Sequence, residues 1–428
     1  MLRSLFKGSN PSSLSAGGEA RACVAIVLAC WIAIFTAPAA SARQAGNDAP
    51  RLLGAVEILR EDLIIQVPRD QKTLQDAIDF VGARIIVGTP TITIQLSDGQ
   101  YGTPEKPIEQ IYITDPKFQL VRISGNCGRP HSVMLNFQAR DNLSGFALYH
   151  GGRIGLIDCM VINGIGARQD RSTWQEQSYG SGVQANGSGS SATLGSKLTI
   201  NDFYYGVGAF YGGSVTGRGV TVNNSGDANF IGGWHGVLTC IACRGNTASH
   251  IFTNAWGQQE ALGFNFMAEM GSTLQIDESK GTDAQEGAIA AQTNGSAWAH
   301  DFEGSGAAVA GARVIQNGYV ELNRAKLHGN GVGVKLVSGG AVNLSGAELS
   351  GNKFDGVLAR GGHATGDRVQ IRNNGGFGIR VERNGSVDFT GTEALVQNNG
   401  AGPYFVEQGA GCRSPAEACR PPAALMIR

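Results

Sequence analysis

Charge is scarce in this sequence. Asp, Glu, Lys and Arg make up 16 % of the 428 residues and nearly cancel, leaving a formal net charge of −1. That balance excludes the basic face that nucleic acid or an anionic membrane surface requires. Proline is sparse too, at 13 residues, which excludes collagen-like and polyproline architectures. Aromatic residues are only 7 %. Helical periodicity is nearly absent after Ile111, which excludes a bundle. What the chain has in quantity is glycine, 63 residues, with frequent Asn, Ser and Thr. Such a composition favours short strands joined by many tight turns.

The strands repeat. "HGNGVGVKL" at His328 is followed by "GNKFDGVLA" at Gly351 and "RNNGGFGIRV" at Arg372. Each has a polar turn, then glycine, then two aliphatic residues flanking one free position. The same unit occurs at Gly145, Gly182, Gly206, Gly236, Gly263 and Gly287, mostly at intervals of 22 to 30 residues. Twenty-odd residues are too few for a helix crossover and suit three short strands with three turns. The pattern therefore predicts an all-β chain, a right-handed parallel β-helix of about ten coils, with Val334, Leu336, Val357, Ile379 and Val381 stacked in interior columns. The outward row of the first strands is read as Gln184, Gly208, Leu238, Asn265, Ile289, Lys335 and Arg380. It holds no carboxylate, so no metal site is expected there, and no cofactor is called for. Asn330, Asn352, Asn373, Asn374, Asn398 and Asn399 fall at turns, where Asn tolerates left-handed backbone and forms ladders between coils.

The chain divides into a signal peptide (1–42), a linker (43–66), a capping helix with the first strands (67–110), the β-helix (111–408) and a tail (409–428). The signal reading rests on basic Arg3 and Lys7, the apolar run Cys23–Ala37 and the small-residue site Ala40-Ser41-Ala42, and predicts a secreted or periplasmic protein. Six cysteines follow that site. Cys412 and Cys419 bracket six residues and suit a disulfide clasp of the tail. Cys240-Ile-Ala-Cys243 lacks the second pair a zinc site needs. In an extended strand its thiols would face opposite ways, which favours buried packing or a bridge to a neighbouring coil.

One helix is expected. In "DQKTLQDAIDFV", Thr73 and Asp76 form a capping box and Leu74, Ala77, Ile78 and Val81 share a face. With "ITIQLSDGQY" after it, this opening resembles that of the pectate-lyase-like β-helix superfamily, nearest in flavour to phage tailspikes and more distantly to pectinesterases. The resemblance implies an extracellular polysaccharide as partner, handled by a lyase, hydrolase, esterase or non-catalytic binder, and a trimer by analogy with tailspikes. Motifs of individual families fail. The Asn-Thr-Asp, Asp-Asp and Gly-His-Gly of polygalacturonases are missing, and "DANFIGG" at Asp227 only echoes a pectinesterase motif.

Candidate chemistry therefore lies in the middle coils, where the repeat is interrupted. His235, Glu260 and Glu286 stand in turns entering strands, as proton shuttle and acid–base pair. The insertion Gly166–Gly180 supplies Arg168, Arg171, Trp174, Glu176 and Tyr179 as a cleft wall, and Trp234, Trp256 and Trp298 are candidate sugar-stacking rings. Two functions fit. One is a polysaccharide lyase or glycoside hydrolase; the other is a non-catalytic glycan-binding adhesin or scaffold.

Overall fold

A computed structural model describes residues 57–139, 142–166, 180–253, 259–389 and 394–413. The predicted signal peptide lies outside these residues. The chain winds as a parallel β-solenoid with three faces. Among the described residues, sheet I has fourteen strands, from Leu63–Val67 to Gly411–Arg413. Sheet II has twelve, from Gly99–Tyr101 to Leu395–Gln397, and sheet III twelve, from Ile111–Ile113 to Gly402–Val406. Each coil visits sheet III, then I, then II, as Ser181–Asn186, Ser191–Leu194 and Thr199–Asn201 illustrate.

The count of about ten coils is too low. Glycine units marked the coils in sequence, and rungs such as Ile92–Leu96 and Val121–Ser124 are built without them. The solenoid also starts before residue 66, because Leu63–Val67 pairs with Ile92–Leu96. It runs past residue 408, because Gly411–Arg413 pairs with Ser386–Asp388.

Register explains the core. Val183, Val207, Phe230, Phe266, Ile289, Ala312, Val334, Val357 and Ile379 are aligned partners along sheet III. All are buried, as are Leu336 and Val381. A single apolar residue type at each rung suffices, since the coils above and below complete its burial. Phe230 and Phe266 stack with centroids 4.8 Å apart and planes 5° apart. Helix α1 (Leu74–Gly82) buries Leu74, Ala77, Ile78 and Val81 in the same core. Thr73 Oγ1 accepts from the Asp76 amide at 3.0 Å and Asp76 Oδ2 from the Thr73 amide at 3.1 Å, the expected capping box.

Two amide ladders run between coils. Inside, Asn330, Asn352, Asn374 and Asn399 are linked side chain to side chain at 3.2, 2.8 and 2.9 Å. On sheet II, Asn136, Asn163, Asn201, Asn223 and Asn246 are joined at 2.9, 2.8, 2.8 and 2.8 Å. Sequence reading marked the first ladder and missed the second, whose members sit inside strands rather than at turns.

Cys127 and Cys159 form a disulfide, as do Cys240 and Cys243. The second corrects the expectation of opposed thiols. Ala242 has φ +54°, which breaks the strand into a corner and turns both sulfurs inward. Cys412 is disulfide-bonded, while Cys419 lies outside the described residues.

Asn352 is buried, accepts from the backbone and side-chain amides of Asn330, and donates to the Leu327 carbonyl. Asn352→Ala should cost about 1–3 kcal/mol, because it strands those donors without water. Chemical denaturation followed by circular dichroism would measure it, with Asn373→Ala as the turn control.

Candidate functional site

Alternation along a strand sends every second side chain of sheet III outward. The observed outward row is Gln184, Gly208, Ile231, Met267, Ala290, Arg313, Lys335, Leu358 and Arg380. Gln184, Gly208, Lys335 and Arg380 were read correctly. Leu238 belongs to sheet I, and Asn265 and Ile289 point inward. The reason is local: Gly236 is a corner before sheet I, and Gly263 and Gly287 precede their coil's register by extra residues.

In the middle coils this outer face is not solvated. Tyr204, Tyr205, Phe210, Ala228, Ile231, Phe264, Met267 and Ala290 make a second apolar cluster there, with Trp234 against it. Phe264 and Phe266 part company: Phe266 fills the bore and Phe264 joins the outer cluster. The cluster borders a hairpin, His250–Thr253 paired antiparallel with Gln259–Leu262, that interrupts the coil before Phe264. His250 meets Tyr204 edge-on, centroids 6.0 Å apart.

Three carboxylates border the cluster. Asp227, one residue before the strand Ala228–Gly233, is 8 % exposed and accepts a hydrogen bond from Tyr205. Burial, reinforced by the charges of Glu269 and Glu286, pushes its carboxyl up to about 8. Glu269 ends the strand Phe264–Glu269 and accepts from Gln292 Nε2 at 3.0 Å; burial pushes it up to about 7. Glu286, one residue before Gly287–Gln292, takes a charge-assisted bond of 2.7 Å from Arg313 Nη1. The Arg313 guanidinium in turn lies 5.9 Å from the Phe264 ring centre. The arrangement holds Asp227 mostly protonated and Glu269 close to half protonated near neutral pH, beside a third carboxyl paired with a cation.

Of the residues expected from sequence, Glu286 is in this cluster and Trp234 abuts it. His235 is exposed in the turn after Gly233, at the opposite end of the strand from Asp227, with its ring against Gly271. Glu260 is in register with Phe252 on the hairpin. Trp298 sits on sheet I, paired with Gln275 and Glu321, and is not brought to the cluster. Arg168, Arg171, Trp174, Glu176, Tyr179 and Trp256 lie outside the described residues. Sequence reading missed Asp227, Glu269, Tyr205, His250 and Arg313 as site residues. Counting back 22 residues from Lys335 finds Arg313, and setting Phe266 inward places Glu269 outward with Met267. Elsewhere, an open groove of about 790 Å³ on sheet I, lined by Gln66, Gln95, Arg122 and Ser124, contains none of these acids.

Residues 263–414 match the family model of the right handed beta helix region. Over those residues the solenoid is therefore a right-handed β-helix. Among solved structures, this β-helix is similar to the A-module of the Azotobacter vinelandii mannuronan C-5 epimerase AlgE6, with 15 % identity over 80 % of this chain and 94 % of that one and a TM-score of 0.39. It is similar to the A-module of AlgE4 from the same organism, with 15 % identity over 82 % and 100 % and a TM-score of 0.39. It is also similar to the periplasmic alginate epimerase AlgG, with 12 % identity over 83 % of each chain and a TM-score of 0.43. Comparison with curated proteins gives no match. Likenesses at this level say nothing about the chemistry of the β-helix described above.

Asp227 and Glu269 bind protons more tightly folded than unfolded. The stability this contributes is full below the ordinary carboxylate range and is lost as pH rises through about 7 and about 8. Thermal melts at graded pH should show the unfolding temperature falling from the ordinary carboxylate range up to about 8 and levelling off beyond it. Asp227→Asn and Glu269→Gln should flatten that fall.

Proposed function

We propose that this protein acts on polysaccharide at the outer face of sheet III, cleaving it by acid–base catalysis. The observation that carries the reading is the division among neighbouring carboxyls: Asp227 is held neutral up to about 8, while Glu286 is paired with Arg313. Glycosidic cleavage needs that division, one carboxyl to protonate the leaving oxygen and one carboxylate to activate water or attack the sugar. Asp227 is the acid, oriented by Tyr205, and Glu286 the base or nucleophile. Glu269 is a second carboxyl with raised proton affinity further along the same face. His235 has no proton-transfer role in this scheme. The disulfides fit an exported protein in an oxidising compartment, in keeping with the predicted signal.

One observation favours elimination over hydrolysis as the cleavage step. Arg313, beside Phe264, offers a guanidinium to a uronate carboxylate, and Tyr205 is a proton carrier next to Asp227. The products separate the two, because a lyase leaves an unsaturated sugar that absorbs in the ultraviolet and a hydrolase leaves only new reducing ends.

A panel of acidic and neutral polysaccharides should reveal one that yields product. Asp227→Asn and Glu286→Gln should each lower kcat by at least about a hundredfold. Turnover should fall as pH rises through about 8, where Asp227 loses its proton. Glycan retention without product from the wild type would overturn the catalytic reading and leave the adhesin.

A further inference from the structure

Successive coils leave sheet III through a turn with left-handed backbone, and the residues at this turn form a series along the solenoid. In the later coils they are Thr293, Gln316, Ser338, Gly361 and Arg383, with φ of +50°, +50°, +52°, +68° and +50°. These are small or flexible side chains. In the coils beside the acid cluster the position holds Tyr211, φ +52°, Trp234, φ +46°, and Met270, φ +50°, so two of the three are aromatic. Left-handed backbone is unfavourable for bulky residues and is retained where the surroundings or a function demand it.

The two rings are neighbours. Tyr211 and Trp234 stack with centroids 5.1 Å apart and planes 13° apart, and Trp234 leans on Phe210 at 6.2 Å. Tyr211 remains 39 % exposed, so the pair is not core. Phe210 connects it to the outer cluster, and Gly233 clears the space between: a Cβ there would lie 3.0 Å from the Phe210 ring and 3.4 Å from Glu269 Oε1. The pair therefore ends an apolar strip whose other end carries Asp227 and Glu286. The strand between them has six residues, Ala228–Gly233, a length of about 17–20 Å.

We infer that Tyr211 and Trp234 form a remote subsite that stacks on a pyranose ring of the polysaccharide, several sugars from the bond that reacts. This rests on the proposed function and extends it. An exposed aromatic surface matches the C–H face of a sugar, while the phenol O–H and indole N–H reach its hydroxyls. The distance from the acids makes the subsite a selector of chain length. Substrate lies along the strand rather than along the solenoid axis.

The test uses Tyr211→Asn, Trp234→Asn and the double variant. Asn tolerates left-handed backbone, so each should fold and melt no lower than wild type in spite of the lost ring. Kinetics would be measured on a graded series of oligosaccharides cut from the polysaccharide that the wild type cleaves. Long oligosaccharides should show KM raised about tenfold at nearly constant kcat, short ones should show no change, and Trp234→Phe should restore most of the loss. An effect equal at all lengths, or absent at all lengths, would overturn the subsite while wild-type cleavage upheld the function. A wild type that neither binds nor cleaves any glycan would overturn both.

Discussion

A hydrogen bond between equivalent residues of adjacent coils, repeated along three faces, is the constraint on which the rest of this molecule depends. It sets the rung spacing and makes every side chain a neighbour of the residues one coil before and after. Columns therefore replace a conventional core: Phe230 over Phe266, Ala312 over Val334, Asn352 over Asn374. It also explains why so little charge is needed. The bore is filled by one or two apolar residues per face, and polar positions satisfy each other along ladders instead of reaching for opposite charges.

The same register makes the middle coils chemically different. A face that ordinarily meets water is packed there with Tyr205, Phe264 and Met267, and the hairpin His250–Leu262 breaks the coil at that point. Carboxyls at the border lose hydration without gaining full partners, which is what drives Asp227 and Glu269 upward. Glu286 is met instead by Arg313, supplied by the next coil. Acidity in this site is thus set by which residue stands one rung away.

Much of this was legible in sequence. The capping helix, the repeat, the columns through Val334 and Ile379, and the inner Asn ladder follow from local patterns, because each depends on residues within one coil. The candidate site was legible in location and poorly so in membership. Glu286 and Trp234 emerged as turn residues of an aromatic region. Asp227, Glu269 and Arg313 did not, since their significance comes from partners 22 to 59 residues away and requires exact register. A slip at Gly263 and Gly287 put Asn265 and Ile289 on the wrong face, and with them hid Glu269. The corner at Ala242 was equally invisible, because positive φ at alanine leaves no mark in composition.

The inner Asn ladder has a property that its rungs alone do not show. Each amide donates toward the C-terminal coil, and each also turns a hydrogen back onto a carbonyl of the coil before: Asn330 onto Gly304, Asn352 onto Leu327, Asn374 onto Leu349 and Asn399 onto Ile371. Asn330, Asn352 and Asn374 are thus each tied to the coil before and the coil after, so the column works as a rivet line that holds one coil in register on the next.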